Sequence, residues 1–152
     1  IGSQVPLSDL LNDLIIYSDN DAGHILYENL GGWKEYKEAM TKYTDSISEN
    51  YYTMDNVTTA NTMNDVVTYL YDHKEDYKGL IKNMEKAEPG EYLDRDTQLS
   101  MPQKYGMYDY ALNSVGFVEC NTSYSIVVLT SLGDKGADVM ANINRIAYEH
   151  FK

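Results

Sequence analysis

Four consecutive apolar residues, Ile126-Val127-Val128-Leu129, limit what this chain can fold into more than any other feature. Successive residues of a strand point to opposite faces, so a run that is apolar at every position must be covered on both sides. The run is far too short to cross a bilayer. It reads as the middle of an interior strand from Tyr124 to Ser131, reached through the turn residues Asn121-Thr122-Ser123. Two more strands precede it, Gln103 to Tyr110 and Ser114 to Cys120. A closing helix from Asp134 to Phe151 follows, with Val139, Met140, Ile143, Ala147 and Phe151 as its apolar positions. The last strand has one obvious neighbour within the chain, and an open apolar edge invites association. A further strand, from an amino-terminal segment or from a second copy of the chain, is therefore expected beside it.

Upstream the texture is helical. Pro6 suits a first helical turn, and Leu7, Leu10, Leu11, Leu14 and Ile15 form one stripe that Ser18-Asp19-Asn20 interrupts. Helices are expected from Asp21 to Leu30, stopped by Gly31-Gly32, and from Trp33 to about Tyr43. Thr44 to Val57 is polar and aperiodic, a long surface loop. Thr58-Thr59 caps the next helix, whose buried face is Met63, Val66, Val67 and Leu70, and another runs from about Tyr77 to Lys86. Helices, then an antiparallel meander of about three strands, then a covering helix make an α/β fold of the α+β type. The sequence opens at Ile1 in the lead-in to a helix, without Met or a signal-like apolar core. The expectation is one domain over residues 1–152, incomplete at its amino terminus.

Charge removes several functions. With 24 acidic against 12 basic residues the net charge is −12, which repels nucleic acid and anionic membrane surfaces. The single cysteine, Cys120, allows neither an internal disulfide nor a cysteine zinc site and reads as a buried packing thiol. His24, His73 and His150 lie far apart without metal-ligand spacing, so no metal or cofactor is expected. Apolar residues at 43% are enough for a sizeable core.

Two short motifs carry the chemistry: Ser18-Asp19-Asn20 between two helices, and Lys104-Tyr105-Gly106 opening the first strand. Either alone is a common helix cap or turn, or noise. In this order and setting, with Gly31-Gly32 after the second helix and Thr58-Thr59-Ala60 before the fourth, the chain resembles the class A β-lactamases and their penicillin-binding relatives. Those proteins share S-x-x-K, S-D-N and K-T-G motifs. The resemblance implies a β-lactamase/transpeptidase-like fold with helices packed on an antiparallel sheet. It also implies a serine hydrolase working through an acyl-enzyme on a cell-wall-peptide-like or β-lactam amide.

By the same resemblance Ser18 would relay a proton to the leaving nitrogen, and Lys104 would bring positive charge for that hydroxyl and for a substrate carboxylate. Asn20 would offer its amide to a substrate carbonyl, Gly106 would let ligand approach the backbone, and the Met107 N–H would form half of an oxyanion hole. The setting implied is the outside of a Gram-positive cell.

The pattern also departs from the family. No S-x-x-K precedes Ser18, so the nucleophile and the first strands of the family's sheet are absent and the chain alone is expected to be inactive. Tyr105 stands where the family has Ser or Thr; its phenol either meets the substrate or packs and hydrogen-bonds elsewhere. The loop from Asp45 to Asn56 offers Glu49-Asn50 rather than the E-x-x-L-N of class A enzymes, and Glu49 reads as a solvated residue, so efficient deacylation is not expected. Two rival readings stand beside the enzyme. One is a non-catalytic domain that binds wall peptides or senses β-lactams. The other is a helical interaction domain with coincidental motifs, in which Ser18 and Lys104 would lie far apart.

Overall fold

The computed structural model describes residues 4–152; Ile1 to Ser3, the lead-in to the first helix, lie outside the described residues. The order is α1 (Leu7–Tyr17), α2 (Asn20–Asn29), α3 (Trp33–Met40), a single 3-10 turn (Glu49–Tyr51), α4 (Ala60–Asp72) and α5 (Lys78–Met84). Then follow β1 (Gln103–Tyr108), β2 (Ala111–Val118), β3 (Tyr124–Thr130) and α6 (Lys135–Phe151). The strands form one antiparallel sheet in the order β1-β2-β3. Among the described residues no helix is long and apolar enough to cross a membrane.

The register fixes which side chains share a face. Tyr105, Ser114 and Val128 lie in one row and Lys104, Val115 and Val127 in the next. Side chains alternate across the sheet, and β2 supplies both of its faces. Leu112 and Val118 join Ile126, Val128, Leu93, Met101 and Met140 in a core under α6. Val115 and Phe117 pack with Val67, Leu70 and Met84 in a second core under α4 and α5. α4 and α6 both pack on β2 and β3, so the apolar run of β3 has a helix on each face, as its composition requires. Its outer edge has no strand partner within the described residues.

Local chemistry explains where the boundaries move. β1 ends at Tyr108, not Tyr110, and β2 begins at Ala111, not Ser114. Asp109 takes the left-handed region (φ 53°), so a two-residue reversal closes the Tyr108–Ala111 pair. β2 also stops at Val118, which places Cys120 in the turn. The Cys120 thiol is half-buried rather than buried, with Sγ 3.3 Å from the Thr122 carbonyl oxygen and 3.6 Å from that of Phe151. α3 ends at Met40 because Thr41 to Tyr43 tighten into successive i→i+3 bonds. At α4 the Thr59 hydroxyl accepts from the Thr62 N–H at 3.1 Å, the cap that its sequence suggests.

The 44–57 segment is exposed in part, yet it is tied to the body. Lys37 of α3 is 4% exposed and its Nζ donates to the carbonyl oxygens of Tyr51 and Asp55, each at 2.7 Å. The ammonium also lies 4.6 Å from the Tyr51 ring centre. Burial pushes its pKa down, and the Asp55 carboxylate partly offsets this. At the other end of the loop, Thr44 Oγ1 donates to Asp65 at 2.8 Å and the Thr62 hydroxyl to the Ser46 carbonyl.

Candidate functional site

The Ser18-Asp19-Asn20 tripeptide is a corner between two helices. α1 ends when Ser18 turns into the left-handed region (φ 53°, ψ 38°), and its N–H returns to the Asp13 carbonyl. The same carbonyl accepts from the Asp19 N–H at 3.1 Å. A non-glycine residue held there costs about 1 kcal/mol or more, a cost that a turn alone would avoid with glycine. Asp19 caps α2, its Oδ1 accepting from the Ala22 N–H at 2.8 Å. Asn20 is the first residue of that helix and is exposed. The tripeptide is thus a cap and a turn, and in being so it aims the Ser18 hydroxyl at the sheet.

Lys104, the second residue of β1, meets it there. Its Nζ donates to Ser18 Oγ across 86 positions of sequence. Burial lowers the pKa of this half-buried ammonium, and the negative charge of Glu88 acts the other way. A serine that accepts from an ammonium keeps its own O–H proton free to donate to a third group. The pair can therefore hold a proton and pass it on.

The remaining residues singled out from the sequence continue along β1. Tyr105 packs: its ring stacks on Tyr92 with centres 4.6 Å apart and planes 21° apart, at the margin of the α6-side core. The Lys104 ammonium lies 4.4 Å from the Tyr105 ring centre, so that ring also forms one wall around the cation. A Cβ added at Gly106 would meet open space, which leaves the backbone approachable. Met107 follows with 61% of its surface exposed. Glu49 is exposed on the 3-10 turn of the loop.

Sequence reasoning misses the layer behind Lys104. Gln103 is 1% exposed, and its Oε1 accepts from the Leu93 N–H at 2.9 Å. Its Nε2 donates to Asp94 Oδ1 at 2.8 Å and to the Glu88 carbonyl at 3.2 Å. Asp94 Oδ2 accepts from the Gly90 N–H at 2.9 Å. Asn144, fully buried in α6, donates to the Leu93 carbonyl and accepts from the Tyr124 hydroxyl, both at 2.8 Å. Asn144 carries one usable signal, since it falls on the buried spacing of Met140 and Ala141. The polar 88–94 segment offers none.

A three-stranded antiparallel sheet between helical layers, with a serine at a helix corner hydrogen-bonded to a strand lysine, defines a protein of β-lactamase fold. The family model described as "Beta-lactamase enzyme family" matches residues 1–151, and the chain belongs to that family. Solved structures agree on the fold. A β-lactamase from Burkholderia phymatum superposes with a TM-score of 0.78 at 17% identity, covering 100% of this chain and 67% of that one. The chromosome-encoded β-lactamase of Vibrio parahaemolyticus gives 0.77 at 16% identity, covering 99% and 67%. The structure named PBP-A gives 0.78 at 15% identity, covering 98% and 62%. The chain spans about two thirds of the length of these structures. No curated protein sequence matches it significantly.

Proposed function

We propose that the chain is the carboxyl-terminal part of a penicillin-recognising serine hydrolase that acts through an acyl-enzyme on a cell-wall-peptide-like or β-lactam amide. The observation that carries this reading is the hydrogen bond from Lys104 to Ser18, which joins the two motifs in one place. No serine in the sequence is followed by lysine three residues later, so the nucleophile would come from a segment outside it. That serine attacks the amide carbonyl and yields its proton to its lysine; the C–N bond then breaks and Ser18 passes a proton to the departing nitrogen. Lys104 replenishes and orients Ser18 and attracts a substrate carboxylate. The Asn20 amide holds a substrate carbonyl, Gly106 admits the ligand to the strand, and the Met107 N–H donates to the oxyanion. The setting is extracytoplasmic, at the surface of a Gram-positive cell. The free edge of β3 pairs with a strand of the same amino-terminal segment or of a second copy.

A second reading draws on the 44–57 loop. The loop lacks the E-x-x-L-N spacing of class A enzymes and its Glu49 and Asp55 side chains are solvated, so among the described residues no carboxylate of the loop is held to position a deacylating water. An acyl-enzyme would then persist, which suits a domain that binds wall peptides or senses β-lactams rather than one that destroys them.

Fluorescent penicillin tests the enzyme. Labelling is expected when the chain is joined to an S-x-x-K-bearing amino-terminal segment, and Ser18→Ala should slow it about 100-fold or more. Stoichiometric labelling of this chain alone, or an unchanged rate in Ser18→Ala, would overturn the proposal.

A further inference from the structure

Gln103 immediately precedes the lysine of the site, is buried, and spends every hydrogen-bonding atom of its amide but one lone pair on a single target, the segment from Glu88 to Asp94. That segment backs one side of the lysine's surroundings, through the Tyr92 ring on Tyr105 and the charge of Glu88. Glu88 holds a left-handed backbone (φ 48°), a conformation a glutamate does not keep without support, and the Gln103 amide bonds its carbonyl. Four residues on, the Tyr92 ring lies flat on Tyr105, the ring that faces the Lys104 ammonium. Asp94, gripped from one side by Gln103 and from the other by the Gly90 N–H, closes the segment into a rigid bracket. Asn144 fastens the bracket to α6 through the Leu93 carbonyl.

We propose that Gln103 is a positioning residue for the Lys104–Ser18 pair: by gripping residues 88–94 it keeps the Glu88 carboxylate within electrostatic reach of Lys104 and the Tyr92 ring against Tyr105. The inference rests on the functional reading above for its significance, but the arrangement it describes can be tested without any reaction. Two contacts hold the ammonium, and one charge acts on it. The α1–α2 corner contributes Ser18, β1 contributes Tyr105, and the bracket contributes Glu88, the charged group that acts on it. Burial first, then the neighbouring Tyr105 and the negative charge of Glu88, raise the pKa of the Tyr92 phenol as well. A side chain that never touches substrate thus sets the electrostatics of one that does.

The test is an NMR titration of the Lys104 side chain in lysine-labelled protein, its signal assigned by its loss in Lys104→Arg. Glu88→Gln should lower the titration midpoint, because a carboxylate that favours the charged form has been removed. In Gln103→Asn, one methylene shorter and unable to span the same three partners, Glu88→Gln should have little further effect. A purely structural role for Gln103 would leave the Glu88→Gln shift the same in both backgrounds, and that result overturns the proposal. So does a Lys104 midpoint that Glu88→Gln fails to move in otherwise unaltered protein, a comparison that holds even if the Gln103 variant does not fold. Failure of penicillin labelling would leave these shifts untouched, so the two readings fail separately.

Discussion

Lys37 and Lys104 are both withdrawn from water, for different ends. Lys104 keeps a hydroxyl partner and remains partly exposed, as its proposed role toward a ligand requires. Lys37 is sealed, and its donors go to two backbone carbonyls of the 44–57 loop. Replacing Lys37 with Met keeps most of the volume but leaves those carbonyls unpaired, at a cost of about 1–3 kcal/mol. Thermal unfolding should show that loss, and hydrogen exchange should localise it to the Tyr51–Asp55 segment; unchanged protection there would refute the anchoring. Ser18 and Lys104 are legible as candidates because each sits in a short motif at a recognisable element boundary. Lys37 is not, since a lysine among Lys34, Glu35 and Glu38 on a short helix has the composition of a solvated face. Gln103 is equally silent: its partners lie in a segment without periodicity, and only three dimensions bring them together.

Among the elements, the helices and strands expected from the sequence form, but their buried faces are met in part: of the α6 positions, Met140 is buried while Val139 and Ile143 face outward, and the small residues Gly136 and Ala141 with Asn144 take the inner side. Of the expected α4 face, Val67 and Leu70 are buried and Met63 and Val66 partly exposed; in the β3 run Ile126 and Val128 are buried and Val127 and Leu129 partly so. The β1–β2 reversal lies elsewhere than expected because Asp109 substitutes for glycine in a left-handed turn position, a role asparagine and aspartate can fill without announcing it. The Thr59 cap offers a measurable check on α4. Thr59→Ala should destabilise the fold by about 1 kcal/mol, read as a lower midpoint in urea without a change of slope. At the centre of the sheet, a Cβ at Gly116 would strike the Pro102 carbonyl oxygen, a backbone atom that cannot step aside. That close approach lets the segment leading into β1 lie against β2, where the Phe117 N–H reaches the Pro102 carbonyl at 3.3 Å.

At the scale of the molecule, two surfaces ask for cover. The outer edge of β3 has no partner among the described residues, and α6 turns Val139, Ile143 and Ile146 outward at helical spacing, with Ile146 55% exposed. Hydrogen exchange at the outward amides of β3 should slow once the amino-terminal segment or a second copy is supplied. A chain that stays monomeric, with those amides exchanging freely whatever is added, would contradict the expected pairing. The proposed neighbour is suggested by the run Ile126 to Leu129 itself, because an apolar strand left at a border invites association. Which strand would fill that place cannot be read the same way, because backbone hydrogen bonding carries no sequence label. β2 has a different consequence. Odd and even positions of one eight-residue strand answer to different cores, Val115 and Phe117 to the helices before the sheet, Leu112 and Val118 to the helix after it. The backbone of β2 is thus a shared wall: whichever core sets its course also sets the floor on which the other packs.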